Sequence, residues 1–267
     1  MRIKHYEVIC FIGQGSFGKV YKGIDVRNNI TVAIKIDTSD LKVLHNEVSI
    51  MNYLYRNGVS DIPKIFWYGN IDNNLVLSMT YYKNNLQDYF DVKGIINDTK
   101  LASIMIKCLD ILRQVSNSQV IHRDIKPQNF MMNDGDLNLI DFGLSTIYSY
   151  NCDDYNKTEI VGTPRFTSYF SHCGEPASPR DDLISLGYMY IYLNSGSLHW
   201  DEIERLDTSL AVCDINHPDN LIRREMKSPG ALLPTLSGSI KNYMRYCYSL
   251  KCDDTPDYHS LMRVFNS

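Results

Sequence analysis

The sequence predicts an α+β fold in two lobes: a small β-rich N-terminal lobe holding one helix, and a larger, mainly helical C-terminal lobe. Three observations carry this. Up to about residue 79 the apolar residues fall in short runs rich in β-branched and aromatic side chains, separated by Gly and Asn turns. One stretch within them, about 41–55, repeats its apolar residues at helical spacing. After residue 80 the apolar spacing becomes helical.

Taken in order, Tyr6–Ile12 and Lys19–Ile24 read as strands flanking a glycine-rich turn. Thr31–Ile36 follows the Asn28-Asn29 turn as a third strand. Leu41, Leu44, Val48, Met51 and Leu54 mark one helix face. Ile65–Tyr68 and Leu75–Met79 are two more strands. A connector is expected near 78–84, so the first lobe covers about 1–79 and the second about 85–267. Leu101, Ile104, Met105, Cys108, Leu109 and Leu112 form an amphipathic stripe. Asp182–Leu193 is apolar on most sides and reads as a buried helix, and Ile240–Leu250 as another, rich in Tyr and Cys. No internal repeat or long linker separates the two parts, so the chain reads as a single domain over 1–267.

Composition narrows the function classes. The 267 residues are 44 % hydrophobic and 22 % charged, as in an ordinary globular protein and unlike a disordered one. The net charge of −4 disfavours a protein that grips nucleic acid through phosphate contacts. No run reaches the roughly 18 apolar residues of a membrane span. The first six residues lack an apolar signal core, and Arg2 gives no myristoylation signal. An intracellular protein without membrane or nucleic-acid partners is therefore expected, as a monomer. Seven cysteines with no Cys-x-x-Cys spacing suggest reduced, mostly buried thiols rather than a metal site of Cys and His.

The chemistry is concentrated in a few ordered motifs. Gly13-Gln14-Gly15-Ser16-Phe17-Gly18 follows a strand, with Val20 two residues on. Glycines there let the backbone approach a phosphate and offer it N–H groups. A dinucleotide fingerprint would need a helix next, whereas a second strand follows. Lys35, in Val32-Ala33-Ile34-Lys35, would bring an ammonium to phosphates and needs an acidic partner. Glu47 is the only glutamate between Glu7 and Glu159, and it lies on the 41–55 helix. The strongest signal is His122-Arg123-Asp124-Ile125-Lys126-Pro127-Gln128-Asn129, followed by Asp141-Phe142-Gly143. It supplies a carboxylate to accept a hydroxyl proton (Asp124), a carboxylate to hold Mg²⁺ (Asp141) and an amide oxygen for a second metal position (Asn129).

With this set in this order, the chain resembles a eukaryotic-type protein kinase catalytic domain over nearly all its length. Lys126, two residues after Asp124, is similar to the lysine of serine/threonine kinases. Gly162-Thr163-Pro164-Arg165, Arg180-Asp181-Asp182-Leu183, Gly196-Ser197-Leu198-His199-Trp200 and the lack of Ala-Pro-Glu resemble the casein kinase I group, with vaccinia-related kinases as the nearest alternative. The resemblance implies ATP and Mg²⁺ as ligands and protein Ser/Thr hydroxyls as acceptors, acidic substrates among them. It places Lys126 near the γ-phosphate, Thr163 between Asp124 and Lys126, and Asp182 under the catalytic-loop backbone. Adenine would lie between the lobes against Ile12, Val20, Ala33 and Leu77. Arg123 would meet any phosphate on 144–163, with Ser145, Thr146, Thr158 or a tyrosine as acceptor. Relatives favour primed substrates through a basic cluster. Arg165 matches one member of it, whereas Asp201–Asp214 holds four Asp or Glu in its first seven residues and no lysine, so the sequence leaves the choice between primed and acidic sites open. The alternative is a pseudokinase scaffold, whose mark is a missing lysine or aspartate; Lys35, Asp124 and Asp141 are all present.

Overall fold

The structure, a computed structural model, describes residues 2–15, 18–37, 43–133, 135–148, 158–205 and 213–266. The chain divides into two compact units: Met1–Asn85 with Met131–Ser145, and Leu86–Phe130 with Thr146–Ser267.

The first unit is built on an antiparallel sheet. Its strands are β1 (Arg2–Ile3), β2 (Tyr6–Gly15), β3 (Gly18–Asp25), β4 (Ile30–Asp37), β5 (Ile65–Ile71) and β6 (Asn74–Thr80), in the order β1-β2-β3-β4-β6-β5. Side chains on a strand alternate between faces, and β4 shows the consequence. Val32 and Ile34 pack with Ile3, Tyr6 and Val76 on one face. Ala33 packs with Leu77, Met79, Leu44 and Val48 on the other. Leu44 and Val48 belong to α1 (Val43–Arg56), whose buried stripe is Leu44, Val48, Ile50, Met51 and Leu54, with one carboxylate, Glu47. The helix matches the expected 41–55; residues 41 and 42 lie outside the described residues.

A second, smaller sheet completes this unit. β7 (Asn84–Asn85) pairs with β9 (Phe130–Asn133), and β10 (Asp136–Leu139) lies on the other side of β9. The Leu139 N–H donates to the Asp61 carbonyl at 2.9 Å. Met131–Ser145 therefore packs with the first unit rather than with the helical part expected over about 85–267. The cause is the pairing of Asn84 and Asn85 with Met132 and Met131, a long-range contact of which local periodicity carries no trace.

The second unit is helical. It contains α2 (Leu86–Lys93), α3 (Asp98–Asn117), α4 (Tyr169–His172), α5 (Pro179–Ser195), α6 (Pro218–Met226), α7 (Pro229–Leu232), α8 (Gly238–Ser249) and α9 (Tyr258–Val264), with β8 (Val120–Ile121) paired to β11 (Thr146–Ile147). The predicted stripe on α3 is buried, and Asn97 caps its start by accepting from the Lys100 N–H. A capping box of Ser178 and Asp181 starts α5, Pro179 fits its first turn, and Gly196 ends it in a left-handed conformation. The helix is buried on nearly every side, as its composition predicts, and packs against α3 and α8. The α+β class, sheet first and helices after, is as expected.

Among the described residues no helix is long and apolar enough to cross a membrane. The expectation of mostly buried thiols fits Cys108 and Cys247, whose thiol pKa burial pushes up. It fails at Cys10 and Cys213, which are exposed, and Cys252 is disulfide-bonded rather than reduced.

Candidate active site

The first unit gathers Lys35, Glu47 and Asp141. Lys35 points from the helix-facing side of β4 and donates to Glu47 Oε2 at 2.7 Å and to Asp141 Oδ1 at 2.9 Å. Lys35 is 7 % and Glu47 1 % exposed, so both charges need partners. Burial alone would pull the ammonium down. The charges of Glu47 and Asp141 outweigh it, and Lys35 ends well above the usual lysine range. Burial acts on Glu47 by raising its carboxyl, but with the ammonium 2.7 Å away the two form an ion pair. Glu47 Oε1 is buried without a hydrogen-bond partner among the described residues. Asp141 stands at φ 67°, ψ 62°, a left-handed conformation that costs a non-glycine residue about 1–2 kcal/mol.

These residues line one cavity of the first unit, together with Ile12, Val20, Ala33, Pro63, Met79, Thr80, Tyr81, Tyr82, Met131 and Ile140. Its walls are mostly apolar, with Lys35, Glu47 and Asp141 as charged groups, the kind of lining that takes a flat ring beside phosphates. Leu77 is not part of it. Leu77 pairs with Lys35 in the sheet and is fully buried against α1, whereas Met79, two residues on and opposite Ala33, reaches the cavity. Both lie on the same strand face, so a period of two cannot choose between them. Thr80, Tyr81 and Tyr82, within the connector expected near 78–84, also line the cavity.

In the glycine-rich turn, Gly13 pairs with Val20, Gln14 with Lys19 and Gly15 with Gly18, so a second strand does follow the glycines. Gln14 is exposed. Ser16 and Phe17 lie outside the described residues.

The second unit gathers Asp124, Lys126, Asn129 and Thr163. Asp124 Oδ1 accepts the Thr163 backbone N–H at 3.0 Å and its hydroxyl at 2.7 Å. Asp124 Oδ2 is 2.7 Å from Lys126 Nζ and accepts from Asn129 Nδ2 at 3.2 Å. Lys126 also donates to Thr163 Oγ1 at 2.9 Å, so the threonine stands between lysine and aspartate. Gly162 makes this approach possible: its φ is +99°, and a Cβ there would come within 2.2 Å of the Arg123 carbonyl oxygen.

The loop is braced from below. Asp182 on α5 accepts the backbone N–H groups of His122 at 2.7 Å and Arg123 at 2.9 Å. Burial pushes its carboxyl up to about 7 against the pull of these two N–H groups. The capping work at the start of α5 falls to Ser178 and Asp181 instead. Arg123, also left-handed at φ 69°, is pulled down by burial. Of the acceptors suggested for it, Ser145 is buried, Thr146 half-buried and Thr158 exposed; Tyr150 and Tyr155 lie outside the described residues.

Beyond Thr163 two further contacts went unseen in the sequence. Arg165 grips Asp201 with two bonds, Nε at 2.7 Å and Nη2 at 2.5 Å, and lies 4.4 Å from the Tyr192 ring centre. Lys227, fully buried, donates to the carbonyls of Pro164 at 2.6 Å and Thr167 at 2.8 Å. It lies 3.2 Å from Nε2 of His172, whose pKa burial and the ammonium pull down to about 2.

No group of three or more His, Cys, Asp or Glu side chains among the described residues would hold a metal alone. The hard carboxylate oxygens of Asp141 nevertheless suit Mg²⁺, which takes one or two carboxylates and completes its shell with water and substrate phosphates. The sequence matches the family described as protein kinase domain over residues 6–263.

Proposed function

The chain belongs to the protein kinase family, and on that premise we propose that it transfers the γ-phosphate of ATP to serine and threonine hydroxyls of proteins, in the manner of the casein kinase I group. The observation that carries the Ser/Thr reading is Lys126, which contacts Asp124 and Thr163 at once, at 2.7 and 2.9 Å. A short lysine contact on the proton-accepting carboxylate fits a small aliphatic hydroxyl as acceptor.

In this mechanism Lys35 binds phosphate oxygens, with Glu47 keeping its ammonium in place. The glycine turn offers N–H groups to the phosphates. Ile12, Val20, Ala33 and Met79 hold the adenine. Asp141 and Asn129 would hold Mg²⁺, which would neutralise charge developing on the phosphate oxygens. Asp124 orients the substrate hydroxyl and accepts its proton, and Lys126 offers positive charge to the migrating phosphoryl group. Positioning and electrostatics supply most of the acceleration, because the transition state is loose.

Substrate choice follows from Arg165. Its guanidinium already faces Asp201 in a two-bond pair, which supports recognition of sites that carry no prior phosphate. The test is phosphoamino-acid analysis of casein and of a tyrosine-rich copolymer after incubation with Mg²⁺ and labelled ATP. Label on serine and threonine alone supports the proposal. Label on tyrosine contradicts the Ser/Thr assignment. ATP binding without transfer to either substrate favours a scaffold.

A further inference from the structure

We propose that Asn46 is a positioning residue: its side-chain amide ties α1, the helix that carries Glu47, to the backbone just after Asp141, and so holds Lys35, Glu47 and Asp141 in the arrangement that Mg·ATP requires. This rests on the nucleotide role proposed above for that cluster.

The tie is specific. Asn46 Nδ2 donates to the Gly143 carbonyl at 2.9 Å and to the Ser145 carbonyl at 3.0 Å. An amide NH₂ has two hydrogens, so both are used. Asparagine is a poor choice inside a helix on propensity alone, because its side chain competes for backbone groups. Here it reaches across to another segment instead. The position is half-buried and adjacent to Glu47 in sequence, so fixing Asn46 fixes the helix turn from which Glu47 meets Lys35.

The other end of the tie is a single 3₁₀ turn, Phe142–Leu144, that starts from the left-handed Asp141 and is closed by the Ser145 N–H to the Phe142 carbonyl at 3.0 Å. The helix lies close against it: a Cβ on Gly143 would fall 2.5 Å from Val43 Cγ1. A turn that begins in an unfavourable backbone conformation keeps it only when its surroundings impose it. Asn46 takes the carbonyl of Gly143 inside this turn and that of Ser145 at its exit, and thereby sets where the Asp141 carboxylate points. The consequence is that Asn46 acts on Mg²⁺-dependent nucleotide affinity through Asp141, without touching the nucleotide.

The experiment compares wild type, Asn46→Leu, which keeps the volume and removes the donors, and Asn46→Asp, which keeps the shape and places a carboxylate against two carbonyls. Should either fail to fold by circular dichroism, Asn46→Ser removes the reach with a smaller side chain. Two readouts are taken: ATP affinity with and without Mg²⁺ by calorimetry, and hydrogen exchange of peptides covering 140–147 and α3. The expected result is a loss of about 10-fold in the Mg²⁺-dependent gain in affinity, in line with losing hydrogen bonds of ordinary strength. Mg²⁺-free affinity should stay within about twofold, and exchange should quicken in 140–147 but not in α3. Wild-type gain together with wild-type exchange in the folded variants would overturn the assignment. Asp141→Asn runs alongside. If it keeps the Mg²⁺-dependent gain, the nucleotide reading of the cluster fails, and this inference with it. If it loses the gain while the Asn46 variants keep theirs, this inference alone fails.

Discussion

Thr163 holds Asp124 twice through one oxygen: its backbone N–H and its hydroxyl both reach Asp124 Oδ1, at 3.0 and 2.7 Å. The hydroxyl bond is charge-assisted and ends on the group proposed to take the substrate proton. Such a bond contributes about 1.5–3 kcal/mol, so Thr163→Ala should lower kcat by about 10- to 100-fold with the KM for ATP nearly unchanged. Thr163→Ser should recover most of the loss. Steady-state kinetics of the three proteins checks this; equal kcat for Ala and Ser would deny the hydroxyl its role.

The Lys35–Glu47 pair is buried, and breaking one side strands the other. Loss of one partner of a buried pair costs about 3–5 kcal/mol. We predict that Lys35→Ala lowers stability by that order, since Glu47 is 1 % exposed and Lys35 is its hydrogen-bond partner. The double variant Lys35→Ala/Glu47→Ala should be more stable than Lys35→Ala alone, because no unpaired carboxylate remains buried. Urea midpoints would show it, and additive losses would contradict it.

Two buried groups give stability opposite pH slopes. His172 is held down to about 2 by burial and by Lys227. Below its ordinary value near 6.5 only the unfolded chain takes that proton, so its contribution is complete above pH 6.5 and is lost as pH falls. Asp182 is pushed up to about 7 by burial. Between roughly 4 and 7 only the folded chain keeps that proton, so its contribution falls as pH rises. Measured between pH 5 and 6.5, stability should depend less positively on pH in His172→Asn and more positively in Asp182→Asn, by up to about 1.4 kcal/mol per pH unit each. Slopes that match wild type in both variants would contradict these protonation states.

Asp201 neutralises Arg165, so freeing the guanidinium should change substrate choice. Asp201→Asn is predicted to lower KM for a peptide with acidic residues beside the acceptor several-fold more than for its uncharged counterpart. Pre-steady-state and steady-state assays on the paired peptides test this. The same KM ratio as wild type would mean that Arg165 does not read substrate charge.

Much of this was legible in the chain. The β4 and α1 patterns place Lys35 and Glu47 on facing elements, and the scarcity of glutamate leaves one candidate partner. The run from His122 to Asn129 contains its own contacts, because Asp124, Lys126 and Asn129 meet within one loop. Asn46 and Lys227 were not legible, since each acts on backbone carbonyls, at Gly143 and Ser145 or at Pro164 and Thr167, which carry no residue-type signal. Strand alternation assigns a face but not a distance along it, so it does not separate Leu77 from Met79, the one of the two that lines the cavity. The pairing of Asn84 and Asn85 with Met132 and Met131 was missed because a two-residue strand has no periodicity to read.

In the proposed mechanism Asp124 and Asp141 serve one phosphoryl transfer in different ways. Single-turnover transfer of labelled γ-phosphate to casein by wild type, Asp124→Asn and Asp141→Asn, over a range of Mg²⁺ concentrations, separates the two roles. Asp124→Asn should slow transfer by about 10²–10⁴-fold at every Mg²⁺ level. Asp141→Asn should lose transfer together with the Mg²⁺ dependence of ATP binding. Transfer at the wild-type rate by either variant would deny that aspartate its role.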